Sequence, residues 1–367
     1  MRLKNFGLVL ALALAACAGD VDTGASDPGQ TLPPDQFGGG VTPAVDDGYV
    51  PKPLTATRFG IFYQVSADVL TLYQAGLPQG GNHAWLITQS HGTAFATRAL
   101  ADRVHARGDF YYAPAFDVWD ASHAGWETAS DATLATWAHT FRDVAIAAHA
   151  DLFTFNEVPS NTASDARVRT QISAILRHLH EPDASGRRLS GVVYFTERPG
   201  LAASWSVPAS DFFAAIDQTA IAMVVEHYHS NGFVCGMSEA ALATHYFGMR
   251  DWLAASGEPA KVSIANTKYA VLHSARFSAG DSGWSGGDAD AISLADYQRA
   301  LSRASKVTRD TAGGYNRLAF GPVTTDLTDM GVMPRIVELF NWHYRNATTQ
   351  PSETACVAGT DANCMCQ

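Results

Sequence analysis

The chain has 367 residues, with 36 acidic side chains against 25 basic ones and a formal net charge of −11. That balance, with no basic stripe along the sequence, excludes a partner held by phosphate neutralisation, so nucleic acid is not expected. Hydrophobic residues make up 47% of the chain and charged ones 17%, which excludes a wholly disordered protein and leaves material for a large core.

Arg2 and Lys4 precede an apolar run from Phe6 to Ala16 that is too short to span a bilayer. The run closes on Leu14-Ala15-Ala16-Cys17. This order of charge, apolar run, small residues and cysteine resembles the lipobox leader of bacterial lipoproteins. The resemblance implies cleavage before Cys17, lipid attachment to its thiol and residence on the cell envelope, at the outer membrane or cell surface. The plainer alternative is an ordinary secretory signal, and either reading exports the chain. Residues 18–53 follow with Gly38-Gly39-Gly40, Pro33-Pro34 and few large apolar side chains, the composition of a flexible linker.

From residue 58 short β-rich runs alternate with helical spacing. The expected strands are 58–63, 84–88, 109–113, 151–155, 191–195, 221–225, 261–265 and 317–320. The expected helices are 93–106, 132–148, 166–180, 239–255 and 294–306. Ser238-Glu239 and Ser164-Asp165 read as helix starts. Eight strand–helix units over residues 54–346 predict one α/β domain, a single (β/α)8 TIM barrel preceded by a signal peptide (1–17) and the linker. An open doubly wound sheet is the alternative, but no Gly-x-Gly-x-x-Gly turn follows the first strand.

The residues just past the expected strand ends are polar or aromatic: Tyr63, Gln89 and His91, Asp117 and Trp119, Asn156 and Glu157, Glu197, Glu226 with His227 and Tyr228, and Asn266 with Lys268. Barrels of this kind carry their chemistry at that end. Carboxylates supply proton transfer and nucleophilic attack, amides hold hydroxyls, and rings stack on sugar faces, so a carbohydrate substrate is expected. Trp284, in the Gly- and Asp-rich stretch 278–290, is a further stacking candidate; the Asp spacing there does not match an EF-hand calcium loop. His105, Arg142 and His178 fall on helical patterns and read as solvated surface.

Asn156-Glu157 at the end of the fourth strand resembles the Asn-Glu of the (β/α)8 glycoside hydrolase superfamily called clan A. The resemblance implies a barrel fold and an acid/base role for Glu157. That family places its nucleophile, a Glu, at the end of the seventh strand; this sequence offers Asn266 and Lys268 there instead. Glu226, ending the apolar run 221–225, is the replacement expected as nucleophile or general base. Asn156, Tyr63, Gln89, His91, Asp117, Trp119, Glu197, His227, Tyr228, Asn266, Lys268 and Trp284 are the expected substrate contacts. The alternatives are a non-catalytic surface glycan-binding lipoprotein, and a metal-dependent barrel enzyme using His91 or His229 with acids; no metal or other cofactor is expected.

Four further cysteines, Cys235, Cys356, Cys364 and Cys366, suit two disulfides in an exported chain, three of them within a Cys-rich tail at 347–367. A monomer is expected.

Overall fold

The structure, a computed structural model, describes residues 46–54, 58–65, 83–89, 98–196, 210–227, 231–274, 303–304, 306–308 and 317–321. Eight strands form one parallel sheet: β1 (Arg58–Val65), β2 (His83–Gln89), β3 (Phe110–Phe116), β4 (Leu152–Phe155), β5 (Ser190–Thr196), β6 (Ala220–His227), β7 (Tyr269–Ser274) and β8 (Arg317–Gly321). Each strand pairs with the next in sequence. β8 returns to β1, from Phe59↔Arg317 to Phe62↔Phe320, so the sheet closes into a barrel with no free edge. The described helices are α1 (Arg98–His105), α2 (Asp131–Ala147), α3 (Ala166–His180), α4 (Ser210–Thr219), α5 (Asn231–Gly236), α6 (Glu239–Ala255) and α7 (Pro259–Thr267).

Two buried clusters follow from the period of two along each strand. Leu86, Tyr112, Leu152, Val192, Tyr194, Ala222, Val224, Ala270 and Leu272 pack inside the barrel. Tyr111, Phe153, Phe155, Val193, Phe195, Met223, Val225, Tyr269 and Val271 face the helices instead, among Leu134, Phe141, Ile172, Leu176, Phe213, Ile216 and Tyr246. Strands buried on both faces explain why these segments read as nearly continuous apolar runs. Phe153 and Gly191 are directly paired across β4 and β5. A Cβ at Gly191 would come within 2.5 Å of Phe153 Cε2, so the ring occupies the space that only a glycine leaves.

Helix starts follow their sequence signals. Ser238 Oγ accepts from the Ala241 N–H to cap α6, and Asp165 Oδ1 accepts from Arg167 N to open α3. Ser130 caps α2 in the same way through Thr133 N.

The seventh strand lies elsewhere than the sequence pattern placed it. Residues 261–265 belong to α7, which begins at Pro259, while β7 runs from Tyr269 to Ser274. Proline at the first helical position sacrifices no intrahelical bond and presets φ, so Glu258-Pro259 starts a helix despite the alternating Val262 and Ile264.

Residues 46–53, which composition assigns to the linker, are held against the N-terminal end of the barrel. Arg187 grips Asp46 with Nη1 to Oδ1 at 2.6 Å and Nη2 to Oδ2 at 2.5 Å. Asp47 pairs with Arg98 and His149, and the Tyr49 ring stacks on His105 and His149. Beneath it Asp151 is buried and accepts four bonds, from the Tyr49 hydroxyl, Lys52 N, Tyr111 N and His105 Nε2. His105 is thus a strut and not solvated surface. The same correction applies to Arg142, which is buried and donates from Nη1 to the carbonyls of Glu181 and Pro182. His178 also differs: its two ring nitrogens face Glu181 and Asp131.

Among the described residues, no helix is long and apolar enough to cross a membrane.

Candidate active site at the C-terminal mouth

Glu226 continues the inward set of β6, two residues beyond Val224, and is 1% exposed. A carboxylate with so little access to water carries a large desolvation cost and is seldom retained for stability alone. It sits one layer above a pair of buried phenols, where the hydroxyls of Tyr112 and Tyr194 lie 3.3 Å apart. Burial pushes the Tyr194 hydroxyl well above the ordinary phenol range, and the Glu226 charge pushes it further. The Tyr194 phenol therefore stays protonated, and within the pair one hydroxyl donates to the other. Thr154, on the inward set of β4, gives its hydroxyl to the Ala113 carbonyl at 2.8 Å.

Glu157 follows β4, two strands from Glu226. The register pairs Phe155 with Val193 on β5 and Thr196 with Glu226 on β6. Carried two residues past Phe155, it sets Glu157 beside Phe195, level with Val225 and one residue below Glu226. The Glu157 backbone has φ of 41°, in the left-handed region that costs a residue with a side chain about 1–2 kcal/mol. The strand ends there: Asn156 N still bonds to the Phe116 carbonyl and Val158 N to the Tyr194 carbonyl, so the turn is clamped on both sides. Glu157 itself is partly exposed. Local strain clamped at a strand mouth is a mark of functional sites. Neighbouring strands stand about 4.8 Å apart, so β4 and β6 are separated by roughly 10 Å along the wall. In the strand register Glu157 takes the parity of Phe155, Phe195 and Val225, which face the helices, whereas Glu226 takes that of Val224 inside the barrel, and the left-handed turn at Glu157 breaks that alternation.

The loop after β3 builds one rim. Asp117 Oδ1 accepts from Trp119 N at 2.8 Å, and the Asp117 carbonyl accepts from His123 Nδ1 at 2.6 Å. Burial, with the neighbouring Asp120 charge adding to it, pushes the Asp117 carboxyl up despite the Trp119 bond. His123 stacks on Phe116, and the buried Trp126 meets Trp119 edge-on at 6.1 Å between ring centroids. Gln171 ties this loop to α3 by donating to the Trp126 and Ala129 carbonyls. Trp119 is thereby presented on a fixed base, and it remains 54% exposed.

Other expected contacts lie apart from the mouth. His227 has the parity of Val225 and faces the helix layer, packed on Tyr246 and His245 of α6. Asn266 and Lys268 precede β7 and so stand at the opposite end of the barrel. Lys268 Nζ pairs with Asp217 there and also donates to its carbonyl. β7 ends at Ser274, followed in sequence by Ala275-Arg276-Phe277. The backbones of Tyr63 and Gln89 lie near the C-terminal ends of β1 and β2, and Cys235 lies in α5. His91, Glu197, Tyr228, Trp284, Cys17, Cys356, Cys364 and Cys366 are outside the described residues.

Tyr112 and Tyr194 were not singled out from the sequence. Their signal was parity: each is a tyrosine on the inward side of an otherwise apolar strand.

No family model matches the chain, and no curated protein matches it. Among solved structures it is similar to the spore cortex-lytic enzyme SleL of Bacillus megaterium QM B1551, at 12% identity and a TM-score of 0.44 over 76% of this chain and 73% of that one. It is also similar to a D-allulose 3-epimerase from Methylomonas sp., solved with D-allulose, at 11% identity and a TM-score of 0.36 over 78% and 91% of the two chains. A D-tagatose 3-epimerase-like protein gives 10% identity and a TM-score of 0.35 over 77% and 98%. At these identities and scores the likenesses do not assign a function.

Proposed function

We propose that this chain is a (β/α)8 glycoside hydrolase that cleaves an oligosaccharide or polysaccharide with Glu157 and Glu226. The observation that carries the reading is Glu226, a fully buried carboxylate on the inward face of a barrel strand at its C-terminal end, level within one residue with the strained Glu157. In this mechanism the Glu157 carboxyl gives its proton to the glycosidic oxygen as the C1–O bond breaks. Glu226 either bonds to C1, in a retaining reaction, or takes a proton from the water that does so, in an inverting one. The Tyr112–Tyr194 pair supports the ionised Glu226 from below, and Trp119 offers a face on which a sugar ring stacks. Asn156 has the inward parity of Leu152 and Thr154, which suits it to hold a sugar hydroxyl.

The leader ending at Cys17 supports action outside the cytoplasm, with the barrel tethered to a lipid anchor. The test is release of reducing ends from a panel of plant, fungal and bacterial glycans by the wild-type protein and by Glu157→Gln and Glu226→Gln. Activity in the wild type that drops by orders of magnitude in both variants supports the assignment. Full activity in both variants rejects it, and binding without cleavage by the wild type points to a glycan-binding protein.

A further inference from the structure

A second cluster of chemistry-bearing side chains lies on the outer helix layer, far from the barrel mouth. His139 projects from the middle of α2, His178 from the last turn of α3, and Glu181 caps the C-terminus of α3. His139 Nε2 lies 2.7 Å from Glu181 Oε2, and His178 Nδ1 lies 3.0 Å from Glu181 Oε1. One ligand atom from each residue falls within 4.8 Å of the other two. The two imidazoles meet edge to face, 5.7 Å between centroids.

The remaining nitrogen of His178 is the second observation. Its Nε2 lies 3.0 Å from Asp131 Oδ1, in the first turn of α2. A carboxylate that takes the far N–H of an imidazole fixes its tautomer and leaves the near nitrogen as a lone-pair donor. Metal-ligating histidines are held in this way. Helical packing also fixes the frame, because α2 and α3 each contribute a histidine and the Arg142–Glu181 carbonyl bond pins the α3 terminus to α2.

We propose that His139 Nε2, His178 Nδ1 and the Glu181 carboxylate bind a divalent transition-metal ion, with Asp131 orienting His178 and water completing the shell. Two imidazoles and one carboxylate suit zinc, or cobalt as its spectroscopic substitute, and disfavour magnesium and calcium, which take oxygen ligands. Ligand nitrogens must be deprotonated, so binding releases to solvent any proton that His139 Nε2 or His178 Nδ1 shares with Glu181. The ion would staple α2 to α3 on the outside of the barrel. This inference is independent of the glycan reading.

The experiment uses the full chain without a polyhistidine tag. Zinc uptake is followed by calorimetry and cobalt uptake by visible absorption. The wild type should take up zinc and show the intense d–d bands of tetrahedral cobalt. His139→Ala/His178→Ala should lose one equivalent of zinc together with the cobalt bands. Glu181→Gln, which keeps a hydrogen-bond acceptor, should lose the same equivalent while its melting temperature in chelator stays at the wild-type value. Asp131→Asn should weaken zinc by roughly 10- to 100-fold. Magnesium should not compete. The proposal is overturned if the wild type takes up no zinc, or if the double variant and Glu181→Gln bind as many equivalents as the wild type.

Discussion

The left-handed backbone at Glu157 gives a prediction whose sign is unusual. At most positions alanine is more stable than glycine, because glycine loses more conformational freedom on folding, by about 0.5–1 kcal/mol. At Glu157 the φ of 41° reverses the comparison. Any side chain there carries about 1–2 kcal/mol of left-handed strain, and glycine carries none. Glu157→Gly and Glu157→Ala both delete the carboxylate and its contacts, so those losses cancel between them. What remains is relief of strain less the glycine entropy, leaving Glu157→Gly the more stable of the two by about 0.5–1 kcal/mol. Urea titrations of the two variants read this as a shift in midpoint at equal slope, and thermal melts read it as about 1–3 °C. Neither variant should hydrolyse glycan. If Glu157→Ala proves the more stable, the strain argument is refuted, and with it the reason for treating the β4 terminus as a constrained site.

Three further perturbations test other parts of the account. Gly191→Ala should destabilise the barrel by about 1–3 kcal/mol, because the added methyl meets the buried Phe153 ring; an unchanged denaturation midpoint would contradict this. Asp109, whose carboxyl burial pushes up to about 6 despite its Arg107 partner, binds its proton more tightly folded than unfolded. Its contribution to stability is therefore fully present below about pH 4 and lost as pH rises through 6. Asp109→Asn should match the wild type more closely at pH 4 and exceed it at pH 7 by up to about 3 kcal/mol, and melts showing the same difference at both pH values would refute this. Trp119→Ala should raise KM roughly 2- to 10-fold at nearly constant kcat, the loss of a stacking contact made equally in ground and transition states; a drop confined to kcat would show that the ring acts otherwise.

The alternation of strands and helices was legible because barrel strands are buried on both faces and stand out as apolar runs between caps such as Ser238 and Asp165. β7 was not, because Val262 and Ile264 alternate like a strand, and only Pro259 signals that they begin a helix. That single displacement moved Asn266 and Lys268 from the mouth to the far end. The docked segment 46–53 was hidden by a linker-like composition, since its hold depends on partners such as Arg187 and Asp151, roughly a hundred or more residues away. His105, Arg142 and His178 looked like surface for the same reason: their partners Asp151, Glu181 and Asp131 lie 46, 39 and 47 residues away in sequence. Glu226 and Glu157 were legible from position at strand ends. The phenols beneath Glu226 and the strain at Glu157 needed the backbone itself.

The central claim is a division of labour between two carboxylates, and leaving-group dependence tests it most directly. Once a cleavable glycan is known, turnover is compared on that sugar carried by an alkyl aglycone and by a nitrophenyl one. A nitrophenolate departs without protonation, so Glu157→Gln should keep much of its bond-breaking rate on the aryl glycoside and lose it on the alkyl one, while Glu226→Gln loses both. Equal losses on the two substrates in Glu157→Gln, or wild-type rates in Glu226→Gln, would contradict the account.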